Sequence, residues 1–149
     1  SRRIWIIGKS PYTVWTRLPI FNPLAALICR RLILFFIINQ IIQNAVKYSK
    51  SSNKEIEMFG INNKENTILC IKDNGIGIKK GEITRVFEKG FTGTNGRKVG
   101  QKSTGMGLYL CKKLCNKLGL RIELDSEENI GTEIRIAFPK SSFIQDAIE

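Results

Sequence analysis

The stretch that decides the fold is IINQIIQNAVKYSK, residues Ile37–Lys50. Its apolar residues, together with one from the preceding turn, stand at positions 34, 37, 38, 41, 42, 45 and 46. This spacing is typical of an amphipathic helix and predicts one over Leu32–Tyr48. Where a solvated helix face usually carries Glu and Lys, this one carries a row of amides, namely Asn39, Gln40, Gln43 and Asn44. We therefore expect the polar face to meet something other than water.

The charge of the chain is distributed unevenly along its 149 residues. Residues 1–54 hold nine Lys or Arg and no acid, whereas residues 55–149 hold 15 bases against 13 acids. The net charge of +11 therefore belongs to the N-terminal third, which argues against a phosphate-backbone-binding surface across the whole domain. A non-enzymatic basic domain that binds nucleic acid or membrane through residues 1–54 remains an alternative.

The first 31 residues match no recognisable pattern, and we treat them as an unassigned basic and apolar leader. The apolar part of SRRIWIIGK is too short for a signal peptide. Arg30 and Arg31 divide the apolar run Leu18–Ile42 into pieces shorter than the ~20 residues that span a bilayer. The predicted organisation is this leader, one domain over residues 32–140 and a tail over residues 141–149.

The four cysteines are not spaced like a metal site. The chain has no His and no C-x-x-C pair, and structural zinc usually needs such paired ligands. We expect the cysteines to be small buried hydrophobes in a reducing compartment.

Behind the first helix, the sequence alternates strand and helix patterns in an order that favours an α+β sandwich over a doubly wound βαβ fold. EIEMFGI and TILCIKD read as an antiparallel hairpin, and LRIELDS and TEIRIAFP as a second one that Pro139 ends. GEITRVFEKG predicts a short helix, and GMGLYLCKKLCNKLG predicts a longer one ended by Gly119. The polar stretch FTGTNGRKVGQKSTG between them predicts a long mobile loop.

Two glycine-containing motifs suggest a binding site for a flat ring and an anion. Asp73 ends an apolar strand just before Gly75 and Gly77, so its carboxylate could accept a hydrogen bond from an exocyclic amine such as that of adenine. STGMGL opens a helix, where free N–H groups can hold phosphate. Taken singly, each has an ordinary alternative: an Asx turn for the first, and a plain helix start capped by Ser103 or Thr104 for the second.

The third part of this constellation is the first helix. Asn44, Lys47 and Tyr48 stand at i, i+3 and i+4 and project together from its polar face. An amide oxygen suits Mg²⁺, an ammonium suits phosphate, and a tyrosine ring can flank a base.

The four segments NQIIQNAVKYS, DNGIGI, RVFEKGFTG and STGMGLYL together resemble the N, G1, F and G2 boxes of sensor histidine kinases. These boxes belong to the ATP-binding catalytic domain, which shares a superfamily with gyrase, Hsp90 and MutL. The longer run KGFTGTNGR to STGMGLYLCKKLCNKLG is similar to the intramembrane-sensing kinases of Gram-positive bacteria that respond to antimicrobial peptides. The resemblance covers Leu32 to Pro139.

The resemblance implies a two-layer α/β sandwich of the Bergerat type, with a mixed, largely antiparallel sheet, helices on one face and a flexible ATP lid. It implies ATP and Mg²⁺ as cofactors, with Asn44 holding the metal, Lys47 contacting phosphate and Tyr48 lying beside the nucleotide. Asp73 would bind the adenine amine.

Further site residues follow from the same resemblance. It places the walls of the adenine pocket at Gly75, Gly77 and Thr132. It places the phosphate-binding turn of the second helix at Thr104, Gly105, Met106, Gly107 and Leu108. It places the phosphate clamps of the lid at Arg97 and Lys98.

Two departures from the family pattern refine the predicted activity. Histidine kinases transfer the γ-phosphoryl group to a histidine on a separate dimerisation domain, and this chain contains no His. The family's ATPases carry a Glu four residues before the metal-binding Asn, where this chain has Gln40. Since an amide cannot take a proton, we expect ATP to be bound and presented but poorly hydrolysed. A stand-alone ATPase of the same superfamily is the alternative.

The expected partners are the histidine-containing dimerisation domain and, through the full-length kinase, a response regulator. Nucleic acid is not expected. A membrane would be reached only through N-terminal segments of the full-length protein, with this domain in the cytoplasm.

Overall fold

The computed structural model describes residues 23–50, 53–94 and 103–140, which form two helices on one face of a four-stranded sheet. The predicted lid residues Arg97 and Lys98, most of the predicted leader and the whole predicted tail lie outside the described residues. The elements, in chain order, are helix α1 (Pro23–Lys47), strands β1 (Ile56–Asn62) and β2 (Asn66–Asp73), a 3₁₀ turn (Ile83–Arg85), helix α2 (Gly107–Lys117), and strands β3 (Arg121–Glu127) and β4 (Gly131–Pro139).

Helix α1 is longer than its sequence pattern predicts. It covers Pro23–Lys47 among the described residues and so crosses the predicted boundary at residues 31 and 32. Its C-terminal half buries Ile37, Ile41 and Ala45, as the periodicity predicts. Its N-terminal half leaves large apolar side chains exposed, among them Phe35 at 71%. By length and composition α1 could cross a membrane, although its C-terminal half is already packed in the domain core.

The sheet has the strand order β1-β2-β4-β3, and every pairing among the described strands is antiparallel. The predicted α+β fold with a largely antiparallel sheet is confirmed. In the central β2–β4 pair, Asp73 lies opposite Thr132. The last residue of β2 and an early residue of β4 thus meet at one end of the sheet, beneath the C-terminal end of α1.

The turn of the second hairpin is tied to the glycine loop that follows β2. Asn129 has a positive φ of 66°, and its N–H donates to the Ile76 carbonyl oxygen at 2.8 Å. Gly77 also has a positive φ, and a Cβ built on it would stand 1.9 Å from the Glu127 carbonyl oxygen. Only glycine fits there, because any side chain would collide with the backbone of β3.

The core lies between the helices and the sheet, and three of the four cysteines belong to the chain's buried apolar set. Cys70, Cys111 and Cys115 are fully buried, and burial raises the pKa of Cys111 to about 12 and that of Cys115 to about 11. The expectation that all four would be buried is wrong for Cys29, which is exposed. It lies on the N-terminal half of α1, most of whose residues are not covered by the sheet or by α2.

The short predicted helix in GEITRVFEKG is reduced to the 3₁₀ turn. The predicted helix α2 is confirmed and ends before Gly119, whose φ of +70° is the left-handed conformation that commonly closes a helix.

Candidate functional site

A cavity of about 820 Å³ opens between the C-terminal half of α1, the N-terminus of α2 and one end of the sheet. Its volume is in the range of small-molecule sites. Most of the predicted site residues line it, namely Asn44, Lys47, Tyr48, Asp73, Gly77, Thr104, Gly105, Gly107, Leu108 and Thr132. Gly75 and Met106 do not.

The floor of the cavity is apolar and comes mainly from the sheet. Ile71 of β2 and Ile134 of β4 are neighbours across the central pair, and Leu124 of β3 and Ile78 of the glycine loop extend the same surface. A flat aromatic ring could bury its faces on such a floor. These residues were visible in the sequence only as strand-like alternation, which does not distinguish a pocket floor from ordinary core.

Asp73 stands at the edge of this floor, held by the backbone. Its Oδ1 accepts a hydrogen bond from the Gly75 N–H at 2.8 Å. Desolvation by burial raises the pKa of the Asp73 carboxyl, while hydrogen bonds from the backbone of Gly75 and Thr132 act in the opposite direction. The result is a half-buried acceptor whose position is fixed before any ligand arrives.

Gly75 lies against both the end of α1 and the Asp73 carboxylate. A Cβ on it would stand 2.5 Å from the Tyr48 carbonyl oxygen, and the next residue, Ile76, donates its N–H to that same oxygen at 2.9 Å. Gly75 therefore lets the loop after β2 dock on the end of α1, and it shapes the cavity without lining it.

The amide row of α1 faces the start of α2. A Cβ on Gly107 would lie 3.0 Å from Oε1 of Gln40 and 3.9 Å from Nδ2 of Asn44. Glycine at this position therefore allows the two helices to approach closely where both line the cavity. This accounts for Gln40 and Asn44, which meet a helix terminus rather than bulk water, whereas Gln43 is exposed.

The N-terminus of α2 lacks a side-chain cap. Its N-cap residue is Met106, with no side-chain hydrogen bond, so the alternative of a start capped by Ser103 or Thr104 is wrong. A helix start leaves four N–H groups without intrahelical acceptors and carries the positive end of the helix dipole. Such an end attracts anions, and Met106 is its N-cap residue although it does not line the cavity.

Several polar residues that line the cavity were not among the predicted site residues, and Ser103 and Glu82 make specific contacts there. The Ser103 hydroxyl accepts a hydrogen bond from the Lys47 ammonium at 2.7 Å and lies 3.1 Å from the Tyr48 hydroxyl. Glu82 Oε1 accepts hydrogen bonds from the Thr94 N–H at 2.9 Å and the Thr94 hydroxyl at 2.6 Å. Only the position of Ser103, just before the glycine pair, could have drawn attention to it; Glu82 lies in a polar segment without any such signal.

Comparison with known proteins matches the sequence to a family. Residues 29–142 match the family described as histidine kinase-, DNA gyrase B-, and HSP90-like ATPase. The chain belongs to this family. ATP is the nucleotide that membership of this ATPase family implies, and the resemblance on which the fold and the site were predicted is confirmed.

Curated relatives of this ATPase domain are sensor kinases of Gram-positive bacteria. The chain is 40% identical over 103 residues to the sensor histidine kinase YxdK of Bacillus subtilis, covering 69% of this chain and 31% of the relative. It is 46% identical over 106 residues to the sensor protein BceS of the same organism, covering 71% and 31%. The chain thus spans about a third of the length of these relatives.

A solved structure extends the comparison to the fold. The mycobacterial sensor histidine kinase MprB superposes with a TM-score of 0.60 at 27% identity, over 72% of each chain. The helix and strand arrangement around the cavity is therefore that of a histidine kinase ATPase domain.

Proposed function

We propose that this chain is the catalytic, ATP-binding part of a sensor histidine kinase and presents the γ-phosphate of ATP to a histidine on a separate dimerisation domain. The observation that carries the proposal is a single cavity with two different ends. The Asp73 carboxylate lies at one end, and the N-terminus of α2, which has no side-chain cap, lies at the other beside the Lys47 ammonium. These are complementary to the two ends of a nucleoside triphosphate.

At the sheet end, Asp73 receives the adenine. Its carboxylate accepts the exocyclic amine of the base, and the ring lies on the floor formed by Ile71 and Ile134. Thr132 lies opposite Asp73 in the sheet, with its hydroxyl 3.0 Å from that of Ser126, and adds a polar edge to an otherwise apolar floor. A guanine would present a carbonyl oxygen to the Asp73 carboxylate, so adenine is preferred.

At the helix end, Lys47 and the first turn of α2 receive the phosphates. Mg²⁺ is commonly held by one or two protein ligands and substrate phosphates, and Asn44, which lines the cavity, is the residue that would supply the protein ligand. Bound Mg²⁺ would neutralise charge on the phosphates during transfer. The proposed clamps Arg97 and Lys98 lie outside the described residues.

The fate of the γ-phosphate follows from Gln40. It lies beside the start of α2 and lines the cavity, so it stands where a general base would be placed to activate water. An amide cannot accept that proton. The domain therefore positions ATP and neutralises its charge, while the attacking nucleophile comes from the partner domain.

The proposal extends to partners and location, because the relatives are about three times as long as the matched part. We propose that the histidine-containing dimerisation domain, a link to the membrane and the contact with a response regulator lie in the rest of the kinase. The similarity to BceS and YxdK supports a kinase of the group that responds to antimicrobial peptides, with this domain in the cytoplasm.

The test is transfer in trans. The chain is incubated with Mg²⁺, γ-labelled ATP and a purified dimerisation domain from a close relative, with the same domain carrying His→Ala as the control. We expect label on the histidine-containing domain only, in a form stable to base and labile to acid. Sustained release of phosphate without labelling would favour the stand-alone ATPase. Salt-sensitive DNA or vesicle binding without affinity for ATP would favour the basic binding domain.

A further inference from the structure

Ser103 is the first described residue after the segment 95–102, and its hydroxyl connects that point of the chain to α1. Lys47 Nζ lies 2.7 Å from Ser103 Oγ, and the Tyr48 hydroxyl lies 3.1 Å from the same atom. The ammonium also lies 5.6 Å from the centre of the Tyr48 ring. One serine therefore holds two adjacent side chains, Lys47 at the end of α1 and Tyr48 directly after it.

These contacts differ from those of an ordinary solvated serine. Ser103 is part-buried, and its two partners stand 55 and 56 positions earlier in the chain. Ser103, Lys47 and Tyr48 all line the cavity, and Ser103 is followed directly by the turn that starts α2. The hydroxyl therefore holds the ammonium close to the positive end of that helix, against the repulsion between the two.

An ammonium on a four-carbon stem has many rotamers when nothing holds it. Fixing such a side chain on binding costs affinity, whereas fixing it beforehand saves that cost. A hydroxyl oxygen is also a weaker partner for an ammonium than a charged phosphate oxygen. A phosphate that enters the cavity can therefore replace Ser103 as the partner of an ammonium that is already in position.

We propose that Ser103 is a positioning residue for nucleotide binding: its hydroxyl holds the Lys47 ammonium at the start of α2, ready for the phosphate tail. This inference rests on the proposed function and adds to it a residue that acts through Lys47 and does not contact the base. Ser103 should therefore affect the affinity only for ligands that carry phosphates. A residue with a general role in folding would affect the affinity for every ligand.

The experiment is displacement of a fluorescent ATP analogue from the 149-residue chain by ATP, ADP and adenosine, with Mg²⁺ present. We expect Ser103→Ala to lower the affinity for ATP and ADP by about 3- to 10-fold, the scale of one immobilised side chain, and to leave the affinity for adenosine unchanged. Ser103→Thr keeps the hydroxyl and should restore both affinities. Ser49→Ala is the matched control, since it removes a hydroxyl bonded to the Val46 carbonyl oxygen at 2.7 Å.

A double-mutant cycle with Lys47→Met shows whether Ser103 acts through the ammonium. We expect Ser103→Ala to have no further effect on ATP once Lys47 is replaced. The inference is overturned if Ser103→Ala leaves ATP affinity unchanged or raises it, if adenosine weakens equally, or if the two substitutions add fully. Absence of ATP binding by the unaltered chain would refute the proposed function itself, whereas normal binding with an indifferent Ser103 would refute this inference alone.

Discussion

Replacing Asp73 by Asn tests the adenine end of the site with almost no change in shape. The amide oxygen of asparagine can still accept the Gly75 N–H, which the carboxylate now accepts at 2.8 Å. The amide nitrogen, however, is a donor and cannot accept from the exocyclic amine of adenine. A hydrogen bond to a charged group contributes about 1.5 to 3 kcal/mol, so we expect ATP to bind about 10- to 150-fold more weakly.

Folding stability should move in the opposite direction from binding. Burial raises the pKa of Asp73 above its ordinary value, so the stability it contributes is full below the unfolded pKa and is lost as pH rises through the folded pKa. At neutral pH the ionised carboxylate is therefore a cost that asparagine removes. We expect a free energy of unfolding equal to or above that of the unaltered chain. The same raised pKa predicts that ATP affinity falls as pH falls through it, because a protonated carboxyl is a poorer acceptor.

The assay is calorimetric titration with Mg-ATP, paired with denaturant unfolding of the same preparations. Asp125→Asn is the matched control, because it removes one negative charge from the far side of the sheet, where Asp125 pairs with Arg135, and should leave ATP binding unaltered. Equal affinity of the unaltered chain and Asp73→Asn would refute the assignment of Asp73. A loss of binding accompanied by a loss of stability would show that the substitution acts on the fold.

Three further predictions concern other parts of the molecule. Gln40→Glu supplies a base beside the start of α2 and should raise Mg-dependent phosphate release, by about 10-fold or more, measured against Gln40→Ala; an unchanged rate would show that the amide is not what limits hydrolysis. Gly77→Ala should lower the free energy of unfolding by about 2 kcal/mol or more, because Gly77 has a positive φ and its added Cβ would stand 1.9 Å from the Glu127 carbonyl oxygen. Gly81→Ala is the control: a Cβ added there meets no neighbouring atom within 4 Å, so the free energy of unfolding should change by less than about 0.5 kcal/mol. Equal effects of the two substitutions would contradict the loop geometry. A thiol reagent at neutral pH should label Cys29 quickly and the remaining cysteines only on unfolding, which Cys29→Ser would confirm by abolishing the fast phase; rapid labelling of the variant would contradict the burial of Cys70, Cys111 and Cys115.

Much of the fold was predictable because its elements carry strong local signals. The apolar periodicity over residues 34–46 identified the buried half of α1, and the alternating strands with polar turns identified both hairpins. The start of α1 was missed because Arg30 and Arg31 interrupt the apolar run without interrupting the helix. Long side chains of this kind can extend along an exposed face, so charge alone does not end a helix.

The site was predictable where one residue type serves one chemical purpose. Asp73, Asn44 and Lys47 were assigned in this way, and they meet at one cavity. Ser103 and Glu82 were missed because their roles come from contacts with residues distant in sequence, which no local pattern records. The contact of Gly75 with the backbone at the end of α1 could not be foreseen for the same reason.

The most direct test of the central claim is a single preparation of the unaltered chain titrated with Mg-ATP in a calorimeter and then assayed for phosphate release. We predict saturable binding of one nucleotide per chain, displaced by ADP and much weaker for GTP, with phosphate release no faster than from Asp73→Asn. An absence of saturable binding, or sustained release of phosphate from ATP by the chain alone, would contradict the claim that this domain holds ATP for transfer to another protein domain.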